Sequence, residues 1–499
     1  MADSPSPPDR PVRVRFAPSP SGDLHVGNIR TALYDWAFAR HHGGTFVFRI
    51  EDTDRSRVTA EHIHAATESL RWLGLDWAEG PEVGGPYGPY LQSQRLDIYA
   101  EWAQRFLDSG HAYYCYCTPD ELEARREQAR AQGRPPGYDG RCRELTAEQV
   151  EAFRSEGRAP VVRFRMPEGS TTFTDLIRGE VHFAHEYVPD FVLMRADGSP
   201  LYTLAVAVDD ILMGITHILR GDDLLSSTPR QMAVYAAMGV KPEDFPVFAH
   251  LPFVLGADNQ KLSKRNGEVS IAWYRREGFL PEAMVNYLAL LGWSLGDDRE
   301  DFTLAEMVEA FDIDRVNSNP ARFDMKKLEA INGDKIRALK PEDFASRITP
   351  FLQQAGLVAH PPTPSELQLI EGGAPLVQER MTRLTEAVGM LGFLFVAEDH
   401  FTVQEEAATR LLTEESRPAL EAARTALEGL DDWRSEEIEA ALRAALVDGL
   451  GLKPKHAFSP IRVAVTGRRV SPPLFESMEL LGRERTLARL TSALSGMSD

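Results

Sequence analysis

Between residues 12 and 50 the apolar pattern changes period twice. Residues 12–16 alternate as a strand would, and "APSPSG" interrupts them. Ile29, Leu33, Trp36 and Ala37 then recur at helical spacing until Gly43-Gly44, and "TFVFRI" (residues 45–50) is strand-like again. A strand, a helix and a second strand in this length form a βαβ unit with a parallel pair and a right-handed crossover. Its first loop leads into a helix N-terminus, where unpaired N–H groups and the helix dipole favour phosphate. That loop, "RFAPSPSGDLHVGNIR", carries Gly22, His25, Gly27 and Asn28. Asn28-Ile29 stand where a P-loop needs Lys-Ser/Thr, and G-x-G-x-x-G is absent, so neither common phosphate fingerprint applies.

The sheet is expected to resume at "LYTLAVAVDD" and "PVFAHLPFVLG", leaving residues 96–201 as an insertion with its own hairpins and helices. Beyond about residue 260 the strand signal fades. "SEEIEAALRAAL", "PALEAARTALEG" and "PPLFESMELLGRERTLARL" read as helices, so the C-terminal half is expected to be mainly helical. With 499 residues the chain has room for three or four domains. No apolar run is long enough to span a membrane. Three cysteines are too few for a disulfide scaffold, and a reducing cytoplasm is the compartment expected.

A net charge of −20 argues against a protein coated in nucleic acid on every face but not against a local basic groove. Residues 451–475 hold five Lys or Arg and no acid, and "ARFDMKKLEAINGDKIRALK" is a second basic run. Either alone reads as a solvated face; together they make a polyanionic partner plausible. "DNQKLSKRNG" crowds Lys261, Lys264 and Arg265 into five residues. Such a loop is usually only solvated, but beside a phosphate-facing helix start its cations could neutralise charge developing on a phosphoryl group.

"HVGN" and "KLSKR" resemble the HIGH and KMSKS signatures of class I aminoacyl-tRNA synthetases. "RFAPSPSGDLHVGNIRTALYDWAFAR", "FRIEDTDRSR", "YTLAVAVDDILMGITHILRGDD" and "RVAVTGRRVSPPLFESMELLGRERTLARL" resemble the glutamyl-tRNA synthetase branch of that class. The resemblance runs through nearly the whole chain. It departs at Asn28 for the last His of HIGH, at Leu262 for Met and at Arg265 for Ser.

The resemblance implies a Rossmann-like α/β catalytic domain (1–95 and 202–258), an α+β insertion for the acceptor end (96–201), a KMSKS-loop and stem-contact domain (259–338), and α-helical anticodon-binding domains (339–499). It implies ATP-dependent attachment of glutamate to tRNA(Glu) through glutamyl-adenylate, with Mg²⁺ accompanying ATP and tRNA required for activation. Glutamylation of tRNA(Gln) is left open, and a monomer is the family default. His25, Lys261 and Lys264 match the catalytic positions; Pro18, Gly22, Gly27, Asn28 and Arg265 complete the ATP loops. Arg15 and Arg220 match the positions that hold the substrate carboxylates, Glu51 the one facing its ammonium, and Ser19 and Tyr202 their polar neighbours. The guanidinium fork suits a carboxylate and disfavours an amide. Without the resemblance, Arg15 reads as an edge-strand charge and Glu51 as a turn residue. Some relatives hold a structural zinc in the insertion; Cys115, Cys117 and Cys142 match three ligands, with Tyr138 or Glu144 as candidates for the fourth. Ordinary reduced cysteines are the alternative.

A glutamine-specific relative, a small-molecule nucleotidyltransferase and a non-catalytic RNA-binding protein remain as other readings. The helical C-terminal half, the length of chain beyond the nucleotide loops and the charged residues kept in both loops argue against them in turn.

Overall fold

Strand β1 (Arg13–Phe16), helix α1 (Val26–His41) and strand β2 (Thr45–Phe48) form the expected βαβ unit, with β1 and β2 parallel and Arg15 opposite Val47. The computed structural model describes residues 10–20, 22–54, 58–133, 137–262, 270–296 and 298–497. It divides into two compact units, Met1–Arg275 with Met284–Met325, and Arg276–Ala283 with Lys326–Asp499.

Register decides what the first unit can do. A one-residue slip of β1 against β2 would exchange Arg15 with its apolar neighbours Val14 and Phe16, all three of which are buried. Thr216 pins β1 from its other side: its Oγ1 accepts from Arg13 N at 2.8 Å, and its own N–H donates to Arg13 O at 2.9 Å. Helix α1 is buried at Val26, Ile29, Arg30 and from Ala32 through Ala39, so it takes the ionisable Arg30 and Asp35 inside with its apolar residues. Helix α2 (Ala60–Trp72), capped by Thr59, follows β2.

Helix α3 (Leu96–Asp108) leads into a three-stranded antiparallel sheet, β3 (Ala112–Cys115), β4 (Val161–Phe164) and β7 (Val192–Met194), in the order β3-β4-β7. Between its strands lie α4 (Pro119–Ala131) and α5 (Ala147–Ser155). Thr118 and Glu121 form a capping box at the start of α4, with hydrogen bonds of 2.9 and 3.2 Å. The hairpin β5 (Ser170–Asp175) and β6 (Gly179–Ala184) joins β8 (His217–Gly221) and β9 (Val247–Leu251) in a second sheet of order β6-β5-β9-β8. Strand β9 runs parallel to both neighbours, and the pair Asp175↔Phe248 ties the hairpin to it.

"LYTLAVAVDD" does not resume the sheet. It is helix α6 (Tyr202–Leu212), and the strand comes after it as β8. Leu204 through Asp210 are all buried, so the helix shows no polar face. A short continuous apolar run reads alike for a buried strand and a buried helix. The second stretch is as expected, supplying β9 and the short β10 (Val254–Leu255). Helix α7 (Thr228–Ala237) packs on α6, within a core that includes Leu204, Val208, Ile218, Val234 and Phe248.

The second unit is helical, as the fading strand signal predicts. Its core joins Phe344, Ile348, Leu420, Leu442, Ile461 and Met478. Arg489 is buried here, with four of its five N–H donors engaged. It bonds to Val465 O, Phe393 O and both oxygens of Glu398, and lies over the Phe401 ring. "PPLFESMELLGRERTLARL" forms two helices, Leu474–Leu481 and Arg483–Gly496, because Gly482 takes a left-handed φ of 86° that breaks the run.

Candidate active site

Helix α1 begins with an imidazole as its cap. His25 Nδ1 accepts from Gly27 N at 3.1 Å and Asn28 N at 3.3 Å, and Asn28 Oδ1 accepts from His25 N at 3.4 Å. A Cβ on Gly27 would come within 3.1 Å of the His25 ring, so glycine is what allows the ring to fold over the helix start. With Nδ1 an acceptor, the neutral ring carries its proton on Nε2. Asn28 has its role as the third residue of this cap.

His25, Gly27 and Asn28 line a cavity of about 350 Å³ with Arg15, Pro18, Ser19, Glu51, Tyr202, Arg220 and Lys261. The sequence reading and the cavity therefore converge on ten residues. Gly22 is not among its walls; it turns the preceding loop at a φ of 152°. Lys261 Nζ pairs with Asp223 Oδ2 at 2.9 Å and lies over the Phe253 ring. Lys264 and Arg265 lie outside the described residues.

The walls are held by a buried ion network. Arg15 Nε donates to Asp210 Oδ1 at 3.2 Å, and Arg49 Nη2 reaches the same oxygen at 2.8 Å and Glu51 Oε1 at 3.2 Å. Burial works against the charge on Arg15, and Asp210, Asp35 and Glu51 together outweigh it against the repulsion of Arg49. Asp209, the neighbour of Asp210 on α6, accepts from Arg95, Gln92 and Tyr99 at 2.8, 3.0 and 2.8 Å. Burial pushes the Glu51 carboxyl up to about 7, against the pull of Arg49 and Arg15. It also pushes the Tyr202 hydroxyl up to about 12.

Arg220 is held differently. Its Nε donates to His250 Nε2 at 3.0 Å, Nη1 to Gln231 Oε1 at 2.7 Å, and Nη2 to Leu224 O at 3.2 Å and Thr228 Oγ1 at 2.9 Å. These are neutral acceptors, the imidazole being deprotonated on Nε2. Among the described residues no carboxylate lies within ion-pair distance of this buried guanidinium. Two Nη1 hydrogens exist and Gln231 takes one, so a donor remains. A buried cation lacking an anion is costly unless a ligand supplies one.

Arg49, Asp209, Asp210, Gln231 and His250 escaped the sequence reading. A signal existed for three of them: Arg49 and the "DD" pair are charges set in otherwise apolar runs. Such charges point to buried pairing.

In the insertion, the sulfurs of Cys115, Cys117 and Cys142 lie within 4.8 Å of one another. Cys117 and Cys142 are 3.6 Å apart, and the Tyr138 hydroxyl stands 3.5 Å from Cys115 Sγ. Tetrahedral ligands with zinc–sulfur bonds of about 2.3 Å lie about 3.8 Å apart, so the three thiols fit such a centre. Glu144 is turned away, pairing with Arg165 at 2.7 Å.

Residues 11–330 match the family described as "tRNA synthetases class I (E and Q), catalytic domain", and residues 343–494 match an anticodon binding domain. A glutamate–tRNA ligase from a Nocardioides species is 57% identical, covering 97% of this chain and 98% of its own. The chain belongs to the glutamate–tRNA ligase family. A second ligase of that name, from Saccharopolyspora erythraea, is also 57% identical over 98% of this chain and 97% of its own. The crystal structure of a glutamate tRNA ligase from Elizabethkingia meningosepticum, in complex with its amino acid, superposes with a TM-score of 0.83 at 33% identity. It covers 98% of this chain and 100% of that one. Among the described residues, no helix of this family member is long and apolar enough to cross a membrane.

The Glu51 environment makes a pH prediction. Its folded pKa of about 7 exceeds the ordinary 4.5, so the folded state keeps a proton that the unfolded state releases. The stability it contributes is full below about pH 4.5 and is lost as pH rises to about 7. Relative to Glu51→Gln, the wild type should lose up to about 3 kcal/mol over that window in denaturant titrations. Parallel pH profiles would contradict the assignment.

Proposed function

We propose that this chain binds glutamate between Arg15 and Arg220, activates it with ATP and passes it to the terminal ribose of tRNA(Glu). The observation that carries the reading is the buried Arg220 guanidinium, which has a donor left on the cavity side and no carboxylate partner among the described residues. A substrate carboxylate supplies the missing anion. An amide could accept the hydrogen bond but could not balance the charge, so glutamate is preferred to glutamine.

Arg15 turns Nη2 to the second carboxylate, because Asp210 engages Nε and Leu219 O takes a long bond of 3.5 Å from Nη1. Glu51 ionises when the substrate ammonium arrives beside it, since a neighbouring cation lowers the pKa that burial raises. Ser19 and Tyr202 supply polar contacts at the rim. ATP phosphates lie at the start of α1, where Nε2–H of His25 donates to a phosphoryl oxygen. Lys261 and Lys264 neutralise charge as pyrophosphate leaves. Mg²⁺ bound with ATP would supply charge shielding to its phosphates. Once the adenylate is formed, the tRNA ribose attacks its carbonyl, and no side-chain nucleophile intervenes. Catalysis rests on positioning and phosphate charge stabilisation.

Residues 96–201 are assigned to the acceptor end, 259–338 to the stem contacts and 339–499 to the anticodon. Exposed Arg468 and Arg469 suit a phosphate backbone, which makes tRNA affinity fall with salt. Cys115, Cys117 and Cys142, with Tyr138 as fourth ligand, are assigned to a structural zinc that braces the turn after β3. The chain is read as a cytoplasmic monomer.

Labelled glutamate, ATP and transcripts of tRNA(Glu) and tRNA(Gln) test the reaction. The tRNA(Glu) transcript should be charged, and the second transcript reads whether tRNA(Gln) is also accepted. Lys264→Ala should lower kcat by about 10²–10³-fold with tRNA affinity retained. A folded wild type that charges neither transcript, or a fully active Lys264→Ala, would overturn the assignment. Metal analysis of the purified chain should find one zinc, lost in Cys117→Ser; a metal-free wild type would contradict the zinc centre.

A further inference from the structure

Arg220 is fixed through a second buried relay that the reaction scheme does not use. His250, on β9, stands between Arg220 and Asp175, which ends strand β5 of the insertion's hairpin. All three side chains are buried. His250 Nδ1 lies 2.6 Å from Asp175 Oδ2, and His250 Nε2 lies 3.0 Å from Arg220 Nε. An arginine Nε–H can only donate, so Nε2 must be bare and the ring proton must sit on Nδ1. We propose that His250, kept in its Nδ1–H tautomer by Asp175, is the positioning residue that sets Arg220 for the substrate carboxylate.

The imidazole does what a carboxylate in its place could not. Asp175 in direct contact with Arg220 would neutralise it and compete with the substrate. One neutral ring between them hands on the hydrogen-bond direction and leaves the guanidinium charge available. Burial holds the His250 pKa below its usual value; Asp175 opposes this, and Arg220 adds to it. Asp175 stays ionised despite burial, because the hydrogen bonds from His250 and from the backbone of Ile177 and Arg178 outweigh desolvation.

The same contacts make Asp175→Asn an unusually clean probe. The backbone N–H of His250 reaches both Asp175 oxygens at 3.1 Å, whereas those of Ile177 and Arg178 donate to Oδ1 alone, at 3.0 and 2.9 Å. Those donors hold the carbonyl oxygen of an asparagine at the Oδ1 position, so its NH₂ must face His250 Nδ1. The ring proton is then driven to Nε2, where it meets Arg220 Nε–H donor to donor. The shape of the side chain hardly changes.

The proposal rests on the reading of Arg220 as a carboxylate ligand, and the test separates the two. In ¹⁵N-histidine-labelled wild type, His250 (assigned by its absence from His250→Gln) should be neutral with its proton on Nδ1. In Asp175→Asn the proton should move to Nε2 and the KM for glutamate should rise at least tenfold, with kcat within about threefold. His250→Phe should raise the KM similarly. His250→Gln, whose amide can donate to Asp175 and accept from Arg220, should restore most of it. If the wild-type ring is doubly protonated or carries its proton on Nε2, the proposal is wrong whether or not the variants fold. An Asp175→Asn protein with the tautomer moved and the KM unchanged also overturns it. A wild type that fails to activate glutamate at all counts against the carboxylate reading instead.

Discussion

The pair of aspartates at the end of α6 is the constraint on which the site depends. Asp210 fixes Arg15 and Arg49 beneath the cavity, and Asp209 clamps Arg95, Gln92 and Tyr99 on the adjoining segment. Burying this many charges carries a large desolvation cost, offset only when geometry and hydrogen bonding are nearly complete. Contacts to Asp209 meet that requirement. The Asp210 cluster meets it less fully, since Asp210 Oδ2 and Arg49 Nε have no hydrogen-bond partner among the described residues. An incomplete network next to a cavity is what a site looks like when a charged substrate completes it.

Arg15 and Arg220, two of the three arginines lining that cavity, are tuned by opposite means. Arg15 shares a carboxylate with Arg49, so its charge is partly balanced before substrate arrives. Arg220 has only neutral acceptors and keeps its charge in full. Between them stands Glu51, its carboxyl pushed up to about 7 by burial. On the proposed reading, the arrangement would recognise an amino acid by the number and sign of its charges, through groups that need not reorganise to do so. At the other end of the cavity, His25 joins structure to chemistry. One ring nitrogen closes the helix, which puts the proton of the neutral ring on the other, the nitrogen proposed to meet a phosphate.

The sequence is most informative where chemistry sits on local periodicity. The βαβ unit, the cap region around His25 and the helical second unit all follow from spacing and turn residues. Arg15, Glu51, Tyr202 and Arg220 were reached only through family resemblance, because each alone reads as an ordinary strand or turn residue. The "LAVAVDD" helix was misread because burial on all sides erases the amphipathic pattern by which a helix is recognised. His250 and Asp175 were out of reach, being 75 residues apart and joined only by the pairing of β5 with β9. Lone charged residues become legible when a topology puts them on neighbouring strands, and one sequence does not supply that pairing.

The central claim is that Arg15 and Arg220 wait, already placed, for two carboxylates. A crystal structure of this chain with glutamate bound tests it most directly. The account predicts one substrate carboxylate on Arg220 Nη1 and the other on Arg15. His250, Gln231 and Asp210 should keep the partners they have in the empty site. Glutamate bound elsewhere in the cavity, or an Arg220 that must abandon His250 and Gln231 to reach it, would contradict the claim.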